Sequence, residues 1–358
     1  MSNKKVLVGM SGGIDSAVTA YLLKEKGYDV KGAHMLIWKK DSPYPAPMSV
    51  NSCYNPSDDR TKLKALCEKI GIDLTILNCA DFFESIVLKN FKDEYMNGRT
   101  PNPCVWCNAK IKFGALLDFA KESGLEFDYF ATGHYARINY NEATGRYELL
   151  KGKDIKKDQS YFLYRLTQEQ LSKIIFPLGD QTKEDIRKID VQQGYHNVDQ
   201  VESQDFYSGD YSELLLLKDK PGNIVTTDGF VLGKHNGYWH YTIGQRKGLG
   251  LSAKAPLYVL EIDSVRNEVV VGYDNETSQT EVYATNVNYI ASLDFEKDKI
   301  YQVKIRSASK GEPAYVENTE DGFKVRFINM VKAAAKGQSM VVYDNDIVVA
   351  GGIIEKAF

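Results

Sequence analysis

Long apolar runs are missing from this chain of 358 residues. No stretch approaches the roughly 18 residues that suggest a membrane span. The strand Val6-Leu7-Val8 that follows Met1-Ser2-Asn3-Lys4-Lys5 is too brief to be the core of a signal peptide. A cytoplasmic protein without membrane attachment is expected. Cysteine is scarce and odd in number, with five thiols at positions 53, 67, 79, 104 and 107. That argues against a secreted disulfide framework and favours metal or thiol chemistry. An excess of basic charge is also absent, since 45 Lys and Arg stand against 48 Asp and Glu for a net charge of -3. The chain is therefore not coated in basic residues, although a nucleic-acid enzyme needs only one basic face. No internal repeat is visible.

What is present is length enough for two or three cores. The first 200 or so residues alternate short β-rich runs with helical patterns, which predicts an α/β domain with a parallel sheet. Strands are expected at Val6 to Val8, Val30 to Met35, Leu74 to Leu77 and Tyr129 to Thr132. Leu63, Leu66, Cys67 and Ile70 fall at i, i+3, i+4 and i+7 and form one apolar helix face, so Cys67 reads as core. Beyond residue 205 or so the pattern turns to short alternating strands broken by glycine and Asx turns. Tyr301, Val303 and Ile305 alternate with polar residues, as do Phe323, Val325 and Phe327, predicting a C-terminal β-barrel or sandwich. The expected division is a catalytic domain over 1–205, a central β-rich module over 206–276 and a β-barrel over 277–358.

Directly after the first strand stands Ser11-Gly12-Gly13-Ile14-Asp15-Ser16, followed by helical spacing of Val18, Tyr21 and Leu22. Glycines let backbone approach phosphates, the hydroxyls of Ser11 and Ser16 can donate to them, and the following helix offers free N–H groups and its positive dipole end. The lysine of GxxxxGK[ST] and the spacing GxGxxG are both lacking, which disfavours P-loop hydrolysis and NAD binding. Asp15 suits the positioning of Mg²⁺ and pyrophosphate.

The SGGxDS pattern resembles the PP-loop of ATP pyrophosphatases, which adenylate a substrate oxygen and release pyrophosphate. The segment Gly98-Arg-Thr-Pro-Asn-Pro-Cys-Val-Trp-Cys-Asn-Ala-Lys-Ile-Lys-Phe113 narrows this, because it resembles the catalytic-cysteine segment of the tRNA-specific 2-thiouridylases (the MnmA/TrmU family). Ala131-Thr-Gly-His-Tyr-Ala-Arg137, Lys157-Asp-Gln-Ser-Tyr-Phe-Leu163, Phe176-Pro-Leu-Gly179, Tyr241-Thr-Ile-Gly-Gln-Arg-Lys-Gly-Leu-Gly250 and Gly337-Gln338 follow in that family's order. The resemblance implies a tRNA-uridine 2-sulfurtransferase that uses ATP and Mg²⁺, with the anticodon loop of tRNA as substrate. A cysteine desulfurase or relay protein would be the sulfur donor. It places ATP at Gly9, Met10, Ser11, Gly12, Gly13, Ile14, Asp15, Ser16, Met35 and Gly133, and the target base at Asn102, Pro103 and Cys104. It places tRNA at His134, Asp158, Gln159, Ser160, Arg306, Ser307 and Gln338, and the nucleophile at Cys107. Ser307 stands where the family usually has tyrosine, which puts a stacking contact there in doubt.

The chemistry suits these residues. A uridine C2 carbonyl becomes displaceable once its oxygen is adenylated, and a thiolate or persulfide can then attack C2. One departure bears on sulfur delivery. Typical members carry a second cysteine where Ser203-Gln204-Asp205-Phe206 is here followed by Tyr207, and a phenol cannot carry a persulfide. Cys104, three residues before Cys107, makes a C-x-x-C pair that could serve as a dithiol couple or a metal site. Cys53 could join them as a third iron–sulfur ligand or be a bystander. The alternatives to thiolation are a tRNA-binding paralogue with altered or lost sulfur transfer and another PP-loop ligase.

Overall fold

In the computed structural model, the residues described are 4–39, 41–44, 60–197, 207 and 210–358. They form two compact units. The first comprises Met1–Val87, Cys104–Tyr211 and Asp346–Val348, and the second Leu88–Pro103, Ser212–Asn345 and Val349–Phe358.

The first unit is built on β1 (Lys5–Gly9), β2 (Asp29–Leu36), β3 (Leu74–Asn78), β4 (Tyr129–Ala131), the hairpin strands β5 (Ala136–Asn141) and β6 (Arg146–Lys151), and β7 (Ile174–Ile175). The main sheet has the order β3-β2-β1-β4-β7 with every pair parallel. A parallel strand covered on both faces must be apolar throughout, and Val6, Leu7 and Val8 are all buried. Helices α1 (Ile14–Glu25) and α2 (Arg60–Ile70) cover it. Leu63, Leu66, Cys67 and Ile70 of α2 pack with Ala17, Ala20, Val6 and Val8 in one core, as the helical spacing predicts. The chain runs from β1 outward to β2 and β3, then returns to place β4 on the other flank of β1. The loops after β1 and β4 therefore diverge at a topological switch point, where open α/β sheets leave a ligand crevice.

A helical stretch from Pro103 to Glu122 adopts π geometry over Cys107–Ala115. Widening a helix this way displaces carbonyls from their usual partners. The side chain of Gln170 supplies a replacement, donating from Nε2 to the carbonyls of Phe113 (2.6 Å) and Ala109 (3.2 Å). Helix α3 (Lys183–Gln193) starts at Thr182, whose hydroxyl accepts from the Asp185 N–H, and stops at Gly194 in the left-handed region. Its buried face consists of Lys183, Ile186 and Asp190, at i, i+3 and i+7.

The second unit contains a small sheet of β8 (Gly222–Val225), β9 (Val231–His235), β10 (Tyr258–Asp263) and β11 (Glu268–Gly272) in the order β10-β11-β8-β9. Strands β12 (Ser278–Tyr289), β13 (Ile300–Lys304), β14 (Glu312–Asn318), β15 (Gly322–Lys332), β16 (Ser339–Asp344) and β17 (Ile347–Ala357) follow. They neighbour one another in the order β12-β15-β14-β13-β16-β17, and pairing of β12 with β17 closes an antiparallel barrel. Closure removes sheet edges. Tyr301, Val303, Phe323, Val325 and Phe327 fill the interior, as their alternation predicts.

Candidate active site

The glycine-rich loop leaves β1 and turns into α1 with Gly13 at the N-cap and no side chain capping the helix. Its first N–H groups have no intrahelical partner. Gly12 has φ +85°, a conformation open to glycine and costly for other residues. Ser16 Oγ donates to the Gly13 carbonyl at 2.9 Å and lies 3.2 Å from Ser11 Oγ, so the two hydroxyls share one side of the loop. The loop after β4 comes against it. A Cβ added to Gly133 would lie 2.7 Å from Asp15 Cβ, so only glycine permits this approach. Met35, half-buried near the end of β2, is carried by the strand whose Ala33 carbonyl accepts from Met10 N–H.

Three residues around this loop were not singled out in the sequence. Lys183, the first residue of α3, donates to Asp15 Oδ1 at 2.6 Å, and the Tyr135 hydroxyl donates to the same oxygen at 2.8 Å. Lys183 is 8% exposed. The lysine absent from the loop sequence is thus present beside it in space. His196 donates from Nε2 to the Gly12 carbonyl at 2.9 Å. Nothing in the local sequence separates these side chains from solvated ones, apart from the charged residues on the inner face of α3.

Cys107 opens the π-helical stretch and is 8% exposed, while Cys104 is half-buried in the turn before it. Cys104 and Cys107 stand three residues apart in one helical stretch, and residues at that spacing share a helix face. Burial pushes the thiols of Cys67 and Cys79 up to about 11. At neutral pH both are protonated and inert. Tyr207 is buried. Cys53 and Ser203 to Phe206 lie outside the described residues. Among the described residues no group of three His, Cys, Asp or Glu could hold a metal ion.

His134 is buried between Phe113 and Phe176 and shares a 2.7 Å hydrogen bond with Thr132 Oγ1. Burial, with Lys112 as a lesser cause, holds its pKa well below the ordinary histidine range, so it carries no charge at neutral pH. Asp158 accepts from the backbone N–H of Gly152 and Ser160, Gln159 accepts from Tyr135 N–H, and Ser160 is buried. Asp158 shapes its own loop, and Gln159 ties that loop to the one after β4. In the second unit Gln338 donates to the Pro101 carbonyl at 2.9 Å, and the Asn102 amide reaches Ser339 Oγ at 3.4 Å. Arg99 bridges Glu94 and Glu355. The stretch that leads to Pro103 is held by the loop before β16. Arg306 and Ser307 are exposed.

Three family models match the chain in succession. One described as tRNA methyl transferase HUP domain matches 4–207, one described as tRNA methyl transferase PRC-barrel domain matches 215–273, and one described as Aminomethyltransferase beta-barrel domain matches 279–354. A protein of Endomicrobium trichonymphae named tRNA-specific 2-thiouridylase MnmA is 45% identical over 354 residues, covering 98% of both chains. The chain belongs to the tRNA-specific 2-thiouridylase family. Further relatives in that family agree along the whole length. The protein of Caldanaerobacter subterraneus subsp. tengcongensis named tRNA-specific 2-thiouridylase MnmA 1 is 45% identical over 362 residues, with 99% of this chain and 98% of the relative covered. That of Clostridioides difficile is 42% identical over 363 residues, with 99% of each covered. The family models carry methyl transferase names and these relatives carry thiouridylase names, so the two sets differ in the group said to be transferred.

Proposed function

We propose that this protein is an ATP-dependent tRNA-uridine 2-sulfurtransferase acting on the wobble uridine in the cytoplasm. The observation that carries the proposal is the lysine-free glycine loop at the switch point, in a chain whose full-length relatives are named tRNA-specific 2-thiouridylases. The work divides among a catalytic domain over 1–205, a central module over 206–276 and a barrel over 277–358. ATP lies along Gly9 to Ser16, with Met35 and Gly133 flanking it. The hydroxyls of Ser11 and Ser16 and the first turn of α1 face its phosphates. Mg²⁺ arrives with the nucleotide. Asp15 fixes Lys183, whose ammonium offsets the charge of the departing pyrophosphate.

With the uridine unstacked and drawn to Asn102, Pro103 and Cys104, its C2 oxygen attacks the α-phosphorus and pyrophosphate leaves. A persulfide on Cys107, loaded by a cysteine desulfurase or relay protein, then attacks C2 through its terminal sulfur and AMP departs. The product is a C2–S–S–Cys107 adduct. The Cys104 thiolate attacks the Cys107 sulfur, a Cys104–Cys107 disulfide forms, and the S–S bond to the nucleoside breaks to release 2-thiouridine. A thiol reductant restores the pair. In this cycle Cys104 takes the position in chemistry that Tyr207 cannot. An iron–sulfur cluster would need Cys53 as third ligand. Two thiols do not make a cluster site.

Arg306, Ser307, Gln338, His134 and the Asp158 to Ser160 loop are assigned to tRNA. Arg306 supplies charge and the buried groups supply shape. Pyrophosphate release should therefore require tRNA. In Arg306→Ala the tRNA concentration for half-maximal release should rise about tenfold with a shallower salt dependence, while KM for ATP stays unchanged. Release that tRNA does not stimulate would point to a different ATP-dependent ligase.

A further inference from the structure

The phosphate loop is held by its carbonyls. Met10 C=O accepts from His34 Nδ1 at 2.8 Å, Gly12 C=O from His196 Nε2 at 2.9 Å, and Gly13 C=O from Ser16 Oγ at 2.9 Å. A carbonyl oxygen only accepts, so the His196 nitrogen facing Gly12 carries a proton. The other ring nitrogen lies 2.8 Å from Asp190 Oδ1, and Asp190 is 1% exposed. The buried Asp190 carboxyl group fixes the orientation of the ring through that second nitrogen.

The Gly12–Gly13 peptide is trans, so the Gly12 C=O and the Gly13 N–H point in opposite directions. Fixing the carbonyl on His196 fixes that N–H toward the opposite side, where its partner is Ser11 Oγ at a long 3.4 Å. Such a bond is readily exchanged for one to an anion. Gly12 N–H has no partner among the described residues. A peptide between two glycines turns over easily, because neither residue has a Cβ to resist it. If it did, the Gly12 oxygen would replace the Gly13 N–H facing the phosphates.

The geometry points to His196, oriented by Asp190, as the positioning residue that keeps the Gly12–Gly13 peptide turned so the loop can donate to the pyrophosphate half of ATP. This rests on reading the loop as the phosphate site. Helix α3 then braces that site at both ends of its inner face. Lys183 reaches Asp15, and Asp190, two turns on, reaches Gly12 through His196. His196 touches no substrate in this arrangement.

The test compares His196→Leu, which fills the volume without a donor, with His196→Gln, whose amide N–H can still reach the carbonyl. Inorganic pyrophosphate and AMP are the two probes, measured as competitive inhibitors of the full-length enzyme. His196→Leu should weaken pyrophosphate roughly tenfold or more, the scale of one charge-assisted hydrogen bond, with AMP within about twofold. His196→Gln should recover most of the loss, and Asp190→Asn should fall between. Unchanged pyrophosphate affinity in His196→Leu, or equal losses for both probes, would overturn the positioning role. Failure of the unaltered enzyme to bind pyrophosphate would overturn the phosphate-site reading itself. Should His196→Leu not fold, Asp190→Asn still decides, since a positioning role requires it to weaken pyrophosphate more than His196→Gln does while AMP affinity stays unchanged.

Discussion

Replacing Cys107 with serine should abolish thiolation, by at least about three orders of magnitude, while tRNA-dependent pyrophosphate release continues. A serine hydroxyl cannot carry a persulfide, yet it leaves the helix and the ATP loop as they are. Cys104→Ser should behave differently. It retains the persulfide carrier and lacks the resolving thiol, so the cycle halts at the C2–S–S–Cys107 adduct. A covalent protein–tRNA species should accumulate on a non-reducing gel and release 2-thiouridine when a small thiol is added. Full turnover of Cys104→Ser without added thiol would remove Cys104 from the cycle. Activity confined to a Tyr207→Cys variant would instead favour a paralogue whose sulfur transfer is lost.

The second large effect is expected at Asp15. In Asp15→Ala the buried Lys183 ammonium loses its 2.6 Å acceptor and the Tyr135 hydroxyl loses its own. Removing one partner of a fully buried pair costs about 3–5 kcal/mol, and less here because the Asp15 side chain is 33% exposed. The catalytic consequence exceeds the structural one. Lys183 then loses the contact that sets it where the pyrophosphate must be neutralised, so adenylation should be abolished while tRNA binding stays within a few-fold. Ser11→Ala should also abolish it by removing a phosphate donor. Asp15→Asn keeps an acceptor for Lys183 and Tyr135 without the charge, and should retain measurable release. Pyrophosphate release in Asp15→Ala equal to that of the unaltered enzyme would remove Asp15 and Lys183 from the phosphate site.

Much of this arrangement is legible in the sequence because it is local. The buried strand β1, the apolar face of α2 and the glycine loop each lie within a dozen residues and carry their own periodicity or turn chemistry. The alternation of Tyr301 with Val303 and of Phe323 with Val325 likewise announces the barrel wall. What escapes is non-local. Tyr135, Lys183 and His196 reach the loop across 120, 168 and 184 residues. A lysine or histidine in such a position reads as solvated until the fold brings it inward. The π geometry at Cys107 has the same origin, since the Gln170 side chain that satisfies its carbonyls comes from another helix. The state of His134 is likewise set by distant residues packed around it. Its motif suggests a contact residue, and its surroundings make it an uncharged, buried ring.

The most direct test of the central reading is nucleoside mass spectrometry of tRNA lacking 2-thiouridine, after incubation with the purified protein, MgATP and a persulfide-loaded cysteine desulfurase. A wobble uridine in which sulfur has replaced oxygen is expected, formed only when ATP is present and absent with Cys107→Ser. An unmodified wobble uridine under these conditions, or one carrying an added methyl group in place of sulfur, would contradict that reading.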